Sequence, residues 1–292
     1  MILRTMQKLF ANHFVWSVVA GAVVVLIVSA ANAATHKADM NFTESGTDLD
    51  RIYIENINGD IDITGTSGST VEIKAHIEIE GDLKAIEEYA KVFMPKISRS
   101  DGRLVIETEK PDDEDLDDDI NNSSISYVIS LPKAFGVHTE TVNGDVSISK
   151  AYGQIIVEVV NGDIELKCDE EDNKGVDIES VNGDVEISLR KLTDDCDYES
   201  VNGDFELRIA KAIEGDIDIE TVNGDIEIYM PETVSVDIDA VTAMGGDIET
   251  DWGEGEGITF LPGEKFAYKV KDGKYKIEIE TVNGSIELHH KK

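Results

Sequence analysis

The sequence predicts an all-β fold: a parallel β-solenoid (β-helix) of about 20-residue rungs with one short inserted helix. Three observations predict it. Val-Asn-Gly-Asp begins at Val142, Val160, Val181, Val201 and Val222, with variants at Ile57, Met244 and Val282. From Asn143 the copies step by 18, 21, 20, 21 and 22 residues to Gly245, and a final step of 38 reaches Asn283. Apolar and acidic residues alternate on both sides of each copy, as in Ile217-Asp218-Ile219-Glu220-Thr221 and Ile226-Glu227-Ile228. That alternation is the mark of a half-buried strand, and Asn-Gly supplies the positive φ of a tight corner.

Two arrangements fit one repeat. Each copy is a rung stacked in parallel on the last, or Asn-Gly is the loop of an antiparallel hairpin. The hairpin sets Glu220 against Glu227 and Glu179 against Glu186, whereas stacking files like charges in columns. The near-constant period favours stacking, which also lets equivalent asparagines form an amide ladder.

Repeated Val-Asn-Gly-Asp-Ile-Glu-Ile behind a secretion signal resembles the DUF4097 family, bacterial adhesin-like β-strand-repeat proteins. The resemblance covers most of residues 50–290 and is clearest from Glu140 to Ile228. It implies a parallel β-solenoid in or outside the cell envelope, and it brings no catalytic residues with it.

Residues 1–33 read as a cleavable signal peptide. Arg4 and Lys8 form the basic start, Phe14 to Ser29 is uncharged and apolar, and Ala31-Asn32-Ala33 is a small-residue cleavage site. A periplasmic, extracellular or cell-surface location follows, with no membrane span after cleavage. Residues 34–50 read as an N-terminal linker and 51–290 as the repeat domain.

Arg51 to Gly65 is a first full repeat. Thr70 to Glu80 is a strand with Val71, Ile73, Ala75, Ile77 and Ile79 on one face. Asp82 is a helix N-cap, and Leu83, Ile86, Ala90 and Phe93 recur at helical spacing, so 82–93 reads as the inserted helix, ended by Pro95. Arg103 to Glu109 and Ser124 to Leu131 return to strand, on either side of an acidic loop at 111–119 that reads as a solvated charge run. Trp252 to Pro262 is a glycine-rich excursion. His289-His290-Lys291-Lys292 reads as a polar tail, with weak metal chelation as the alternative.

The net charge is −35. Removal of residues 1–33, which carry only Arg4 and Lys8, makes it two charges more negative. Such a surface repels nucleic acid and favours cationic partners, so the expected partner is an envelope or surface protein or glycan. Stacking files the acids in three columns: glutamates three before each Asn (Glu55, Glu140, Glu158, Glu179, Glu199, Glu220, Glu280), aspartates two after it, and acids four after it (Asp62, Glu165, Glu186, Glu206, Glu227, Glu249, Glu287). Asp145, Asp163, Asp184, Asp204 and Asp225 are therefore candidate ligands for Ca²⁺, the one ion this pattern suggests. The competing role for them is acceptance of local backbone N–H groups at the corner. Cys168 and Cys196, the only cysteines, both point inward and read as either a disulfide or two buried thiols.

Nothing in the sequence spells catalysis. There is no His-Glu-x-x-His, no Gly-x-Ser-x-Gly and no phosphate-binding loop. The expectation is a non-enzymatic, exported interaction or scaffold protein with an acidic repetitive surface. The alternatives are a Ca²⁺-dependent scaffold and a carbohydrate-active β-helix enzyme.

Overall fold

A computed structural model describes residues 24–30, 33–108, 110–111, 118–253, 258–260 and 263–291. Among the described residues the fold is all-β with one helix: two twelve-stranded sheets, mostly parallel, enclose one hydrophobic core. Each repeat contributes one strand to each sheet. The strand before Asn-Gly lies in the second sheet and the strand after it in the first. The central pairs are β9 (Gly136–Asn143) with β10 (Val146–Ser149), β11 (Ile155–Asn161) with β12 (Ile164–Asn173), and β13 (Val176–Asn182) with β14 (Val185–Leu192). They continue as β15 (Cys196–Asn202) with β16 (Phe205–Ile213) and β17 (Ile217–Asn223) with β18 (Ile226–Pro231).

Neighbouring copies pair in parallel and in register: Glu158 lies between Glu140 and Glu179, and Asn161 between Asn143 and Asn182. The hairpin alternative is thereby excluded. Glu220 neighbours Glu199 and Glu280, not Glu227. Ile164, Leu166, Val185, Ile187, Ile217, Ile219, Ile226 and Ile228 all face the interior and are buried. Each such side chain contributes roughly 1.5–3 kcal/mol.

The corner explains the invariance of Asn-Gly. From Asn143 on, each Asn donates Nδ2–H to the Oδ1 of the Asn one level before it at 2.7–2.9 Å, in an unbroken ladder from Asn58 through Asn143, Asn161, Asn182, Asn202 and Asn223 to Asn283. Gly183 sits at φ +136°, and a Cβ there would lie 2.0 Å from the Gly162 carbonyl oxygen. Only glycine allows successive corners to approach this closely.

The chain does not fill the stack in sequence order. β3 (Arg51–Asn58) and β4 (Ile61–Thr66) form the first regular level. The chain then leaves to build the N-terminal end before β9 and β10 stack on the opposite side of β3 and β4. In that end, β2 (Ala33–Ser45), β5 (Thr70–Gly81) and β8 (Ile120–Pro132) pair antiparallel, with β8 parallel to β4. On the other sheet β7 (Arg103–Thr108) pairs parallel to β3, and β6 (Pro95–Ser100) antiparallel to β7. Arg99 of β6 reaches Glu44 of β2, whose side chain is 7% exposed, and its Nη2 also donates to the Ser45 carbonyl at 3.0 Å. This ion pair ties the two sheets together at that end.

The mirror of this detour occurs at the other end. After β18 the chain runs past one level, forms β19 (Val236–Thr242), β20 (Ile248–Thr250), β21 (Ile258–Phe260) and β22 (Gly263–Lys269), then returns. β23 (Tyr275–Asn283) slots between β17 and β19, and β24 (Ile286–Lys291) between β18 and β20. The last copy in the chain is therefore not the last level: the Gly245-Gly246 copy lies outside it. Gly245 offers no amide side chain, so this order keeps the asparagine ladder continuous. β22 lies antiparallel on β19, and Glu264 Oε2 accepts the Ile248 N–H at 3.0 Å.

Three boundaries differ from expectation. The stretch 34–50, expected as a linker, is largely strand β2; Ala34 and Ala38 are buried, and Met40 and Phe42 on the same face pack against the core. Within the signal stretch 1–33, Val24–Ala30 forms β1, antiparallel to β2; residues 1–23 lie outside the described residues. The helix α1 is Leu83–Tyr89, shorter than 82–93, with Asp82 as N-cap accepting from Lys84 N–H. Phe93 is buried beyond its end. Residues 112–117 of the acidic loop lie outside the described residues.

Gly183→Ala tests the corner. Positive φ and the clash with Gly162 predict a loss of at least about 2 kcal/mol, read as a lowered urea midpoint with an unchanged slope.

Candidate functional site

The stacking turns sequence positions into carboxylate files. On the outer face of the second sheet, Glu107, Glu55, Glu140, Glu158, Glu179, Glu199, Glu220 and Glu280 follow one another in register. Two residues earlier runs a second file: Asp177, Asp197, Asp218, Glu278 and Asp239. Sequence reasoning missed this file, although its members lie five residues before Asn182, Asn202, Asn223 and Asn283. Strands about 4.8 Å apart place neighbouring carboxylates where they repel by roughly 1 kcal/mol each in water.

Basic partners gather at the ends of these files. Lys265 pairs with Asp239 at 2.7 Å, Lys269 with Asp237 at 2.8 Å, and Lys276 with Glu278. Among the described residues, Asp177, Glu179, Asp197, Glu199, Asp218 and Glu220 have no ion pair. They form a bare two-by-three grid of acids. Partial burial, then repulsion from neighbouring acids, raises Glu179, Glu220, Asp177 and Asp197 above the usual carboxylate range; Asp218 is raised by burial and by Glu278. Glu55 is raised the same way, by burial and by Glu140 and Glu107. Val201, Val222 and Val282 are exposed beside the glutamates, each two residues after one.

Towards the other end of the glutamate file one cation stands beside it. His138 Nε2 lies 3.3 Å from both Glu140 Oε1 and Glu158 Oε1. Tyr53 packs edge-on against the imidazole at 4.9 Å and donates its hydroxyl to Glu140 at 2.8 Å. Burial works against the imidazolium, but the two glutamates outweigh it and raise His138 to about 9. Glu140 is lowered in turn by its bonds to His138 and Tyr53, against the effect of burial.

The aspartate column lies at the corners, each member one residue before its first-sheet strand. Asp145, Asp163, Asp184, Asp204 and Asp225, together with Asp60, line a groove of about 810 Å³ with Asp62, Glu165, Glu186, Glu206, Glu227 and Glu287. Their carboxylates have a structural task that is not the local turn bond expected. Each Oδ1 accepts the backbone N–H at the equivalent position one level on, at 2.7–3.1 Å, from Asp60 through Asp225 to Ser285. The bond crosses levels because the corner N–H points along the stack. Among the described residues, none of the five joins two other ligand groups within 4.8 Å; the two clusters that do are His138–Glu140–Glu158 and Glu227–Glu287–His289.

The cysteines are two buried free thiols on different sheets, Cys168 in β12 and Cys196 in β15, rather than a bridge. Burial raises Cys168 to about 11 and Cys196 to about 12, so neither is a ready nucleophile. Trp252 is buried and packs edge-on against His290 at 4.1 Å, a local packing role. His289 and His290 are not a tail: they lie in β24, in register with Tyr229 and Met230.

The model of the Toastrack DUF4097 family matches residues 6–212. The chain belongs to that family. Solved structures with similar chains include a "putative cell adhesion protein" from Clostridium sporogenes, 13% identical, with a TM-score of 0.40 over 87% of this chain and 99% of that one. A "putative adhesin" from Bacteroides fragilis is 10% identical, with a TM-score of 0.40 over 86% of this chain and 97% of that one. No curated protein matches the chain. Among the described residues no helix is long and apolar enough to cross a membrane.

The DUF4097 stack carries a pH signature. The raised acids hold extra protons in the folded state just above their ordinary values, so they add stability as the pH falls through that window. His138 acts in the same direction: its contribution is complete below 6.5 and is lost as the pH rises through about 9. Glu140, being lowered, gives stability that is lost only as the pH falls below 4.5. The thermal midpoint should therefore rise as the pH drops from 9 towards 5. Glu179→Gln with Glu220→Gln should flatten the acid part of that rise, and His138→Gln the alkaline part.

Proposed function

We propose that the two sheets are the walls of a parallel β-solenoid, and that this chain is an exported, non-enzymatic interaction or scaffold protein of the bacterial cell envelope. The bare acidic grid on the second sheet is the observation that carries this reading. Asp177, Glu179, Asp197, Glu199, Asp218 and Glu220 repel one another with no ion pair among the described residues, since His138 and Lys276 act on Asp177 and Asp218 only at longer range, and a bound cationic partner removes that cost. The exposed valines alongside add an apolar contact, which suits a protein partner with basic and aliphatic side chains. Membership of the DUF4097 family and the adhesin names of its structural relatives are consistent with a surface role. Cleavage before Ala34 would remove β1 and leave β2 as the edge of its sheet.

The test joins location to binding. Expression in a bacterial host followed by fractionation should place the chain outside the cytoplasm, with a mature N-terminus at Ala34 by mass spectrometry. The purified chain should bind immobilised polylysine but not heparin. Glu179→Gln, Glu199→Gln and Glu220→Gln together should weaken polylysine binding at least tenfold at physiological salt. Cytoplasmic retention of the full-length chain would refute export, and unchanged binding by the triple variant would refute the grid as the contact face.

Calcium is the second reading, favoured by the groove that the aspartate and glutamate files line together. Each aspartate keeps Oδ2 for a ligand while Oδ1 holds the next level. On this reading Ca²⁺ raises the thermal midpoint at low salt and EDTA reverses the gain. Equal midpoints with and without the ion would dismiss it.

A further inference from the structure

The residues expected to form a polar tail build the most complete ligand set among the described residues. His289 of β24 faces outward from the first sheet. Its Nε2 lies 3.4 Å from Glu227 Oε1 and 3.1 Å from Glu287 Oε2. The three groups offer ligand atoms all within 4.8 Å of one another. Bonds of about 2.0–2.1 Å in a tetrahedron set ligand atoms roughly 3.3 Å apart, so both imidazole–carboxylate separations already match that edge.

Supporting contacts orient each ligand. On the far side of the imidazole, Nδ1 faces Asp251 Oδ2 at 3.7 Å, and that same oxygen accepts the His290 N–H at 2.9 Å. At that distance the carboxylate is an electrostatic neighbour of the ring, and a small turn of the imidazole would bring it to the hydrogen bond that supports a metal-bound histidine. Tyr229 stacks on the His289 ring at 4.8 Å, and its hydroxyl donates to Glu227. The Arg208 guanidinium lies over the Tyr229 ring at 3.7 Å. The ring plane and one glutamate are thus positioned before any ion arrives.

The His138 cluster shares the Tyr–His–Glu–Glu plan. Among the described residues, however, no carboxylate backs its Nδ1. It reads as a structural ion pair and serves as the internal control.

We propose that Glu227, Glu287 and His289 bind one divalent transition-metal ion of the zinc class, with Asp251 as the positioning residue behind the imidazole. One nitrogen and two carboxylate oxygens suit Zn²⁺ better than Ca²⁺, which takes six to eight oxygens. The ligands come from β18 and β24, and Asp251 follows β20, so the ion would clamp three adjacent levels. Those are the levels stacked out of chain order. The proposal does not depend on the partner proposed above.

The experiment is calorimetric titration of Zn²⁺ into the full chain after chelator treatment and dialysis, with excess Ca²⁺ present to occupy weak carboxylate sites. One saturable equivalent is expected. His289→Ala and Glu287→Gln should each weaken it at least tenfold, Asp251→Asn by about 10- to 100-fold, and His138→Ala not at all. Co²⁺ in place of Zn²⁺ should give a visible absorption band that His289→Ala abolishes. Metal-free melting of each variant checks folding, and Glu287→Gln decides the matter if His289→Ala is unfolded. Absence of a saturable site, wild-type affinity in the folded His289 or Glu287 variant, or loss of the site in His138→Ala would overturn the proposal.

Discussion

Like sits upon like throughout this molecule, and that constraint governs the rest. Parallel, in-register pairing at one repeat per level makes every position a file. Asparagine files become a ladder of amide bonds, glycine files let corners touch, and isoleucine and valine files fill the interior. The aspartate file also serves the stack, because each carboxylate bonds the next level's backbone. The same rule exacts a cost on the outer faces, where acids must stand beside acids. The structure offsets that cost with His138 near one end and Lys265 and Lys276 at the other, and leaves the middle uncompensated.

Much of this was legible in the sequence, because a period and an alternation are properties of sequence. Val-Asn-Gly-Asp spacing predicted the parallel files, and the positions of Asn182 and Glu179 located them. The order of levels at the C-terminal end was not legible. A step of 38 residues fits two levels in sequence, and only the continuity of the ladder from Asn223 to Asn283 decides otherwise. The aspartate bonds were misassigned because a turn residue and a stacked residue look alike in one dimension. β2 carries a short alternation of its own, Ala38, Met40 and Phe42 against Asp39, Asn41 and Thr43, but no Asn-Gly copy marks it as part of the repeat.

The two candidate sites differ in how they relate to the repeat. The bare grid occupies the most regular levels, and there the sequence contained every member, including the aspartate file five before the asparagines. The His289 cluster joins residues from Glu227 to His289 across the rearranged levels, so no local motif spells it. What could have flagged it is register alone: Glu287 occupies the same position after Asn283 as Glu227 does after Asn223, and His289 the same as Tyr229.

The central claim is that the level carrying Asn283 lies directly against the level carrying Asn223. The most direct measurement is disulfide formation between cysteines introduced as Glu220→Cys and Glu280→Cys, compared with Glu220→Cys and Val241→Cys. Register neighbours about 4.8 Å apart are within bridging range, and residues two levels apart, at roughly 10 Å, are not. The account predicts a bridge between positions 220 and 280 and none between 220 and 241. A bridge between 220 and 241 with none between 220 and 280 would contradict it, and would mean that the levels stack in chain order.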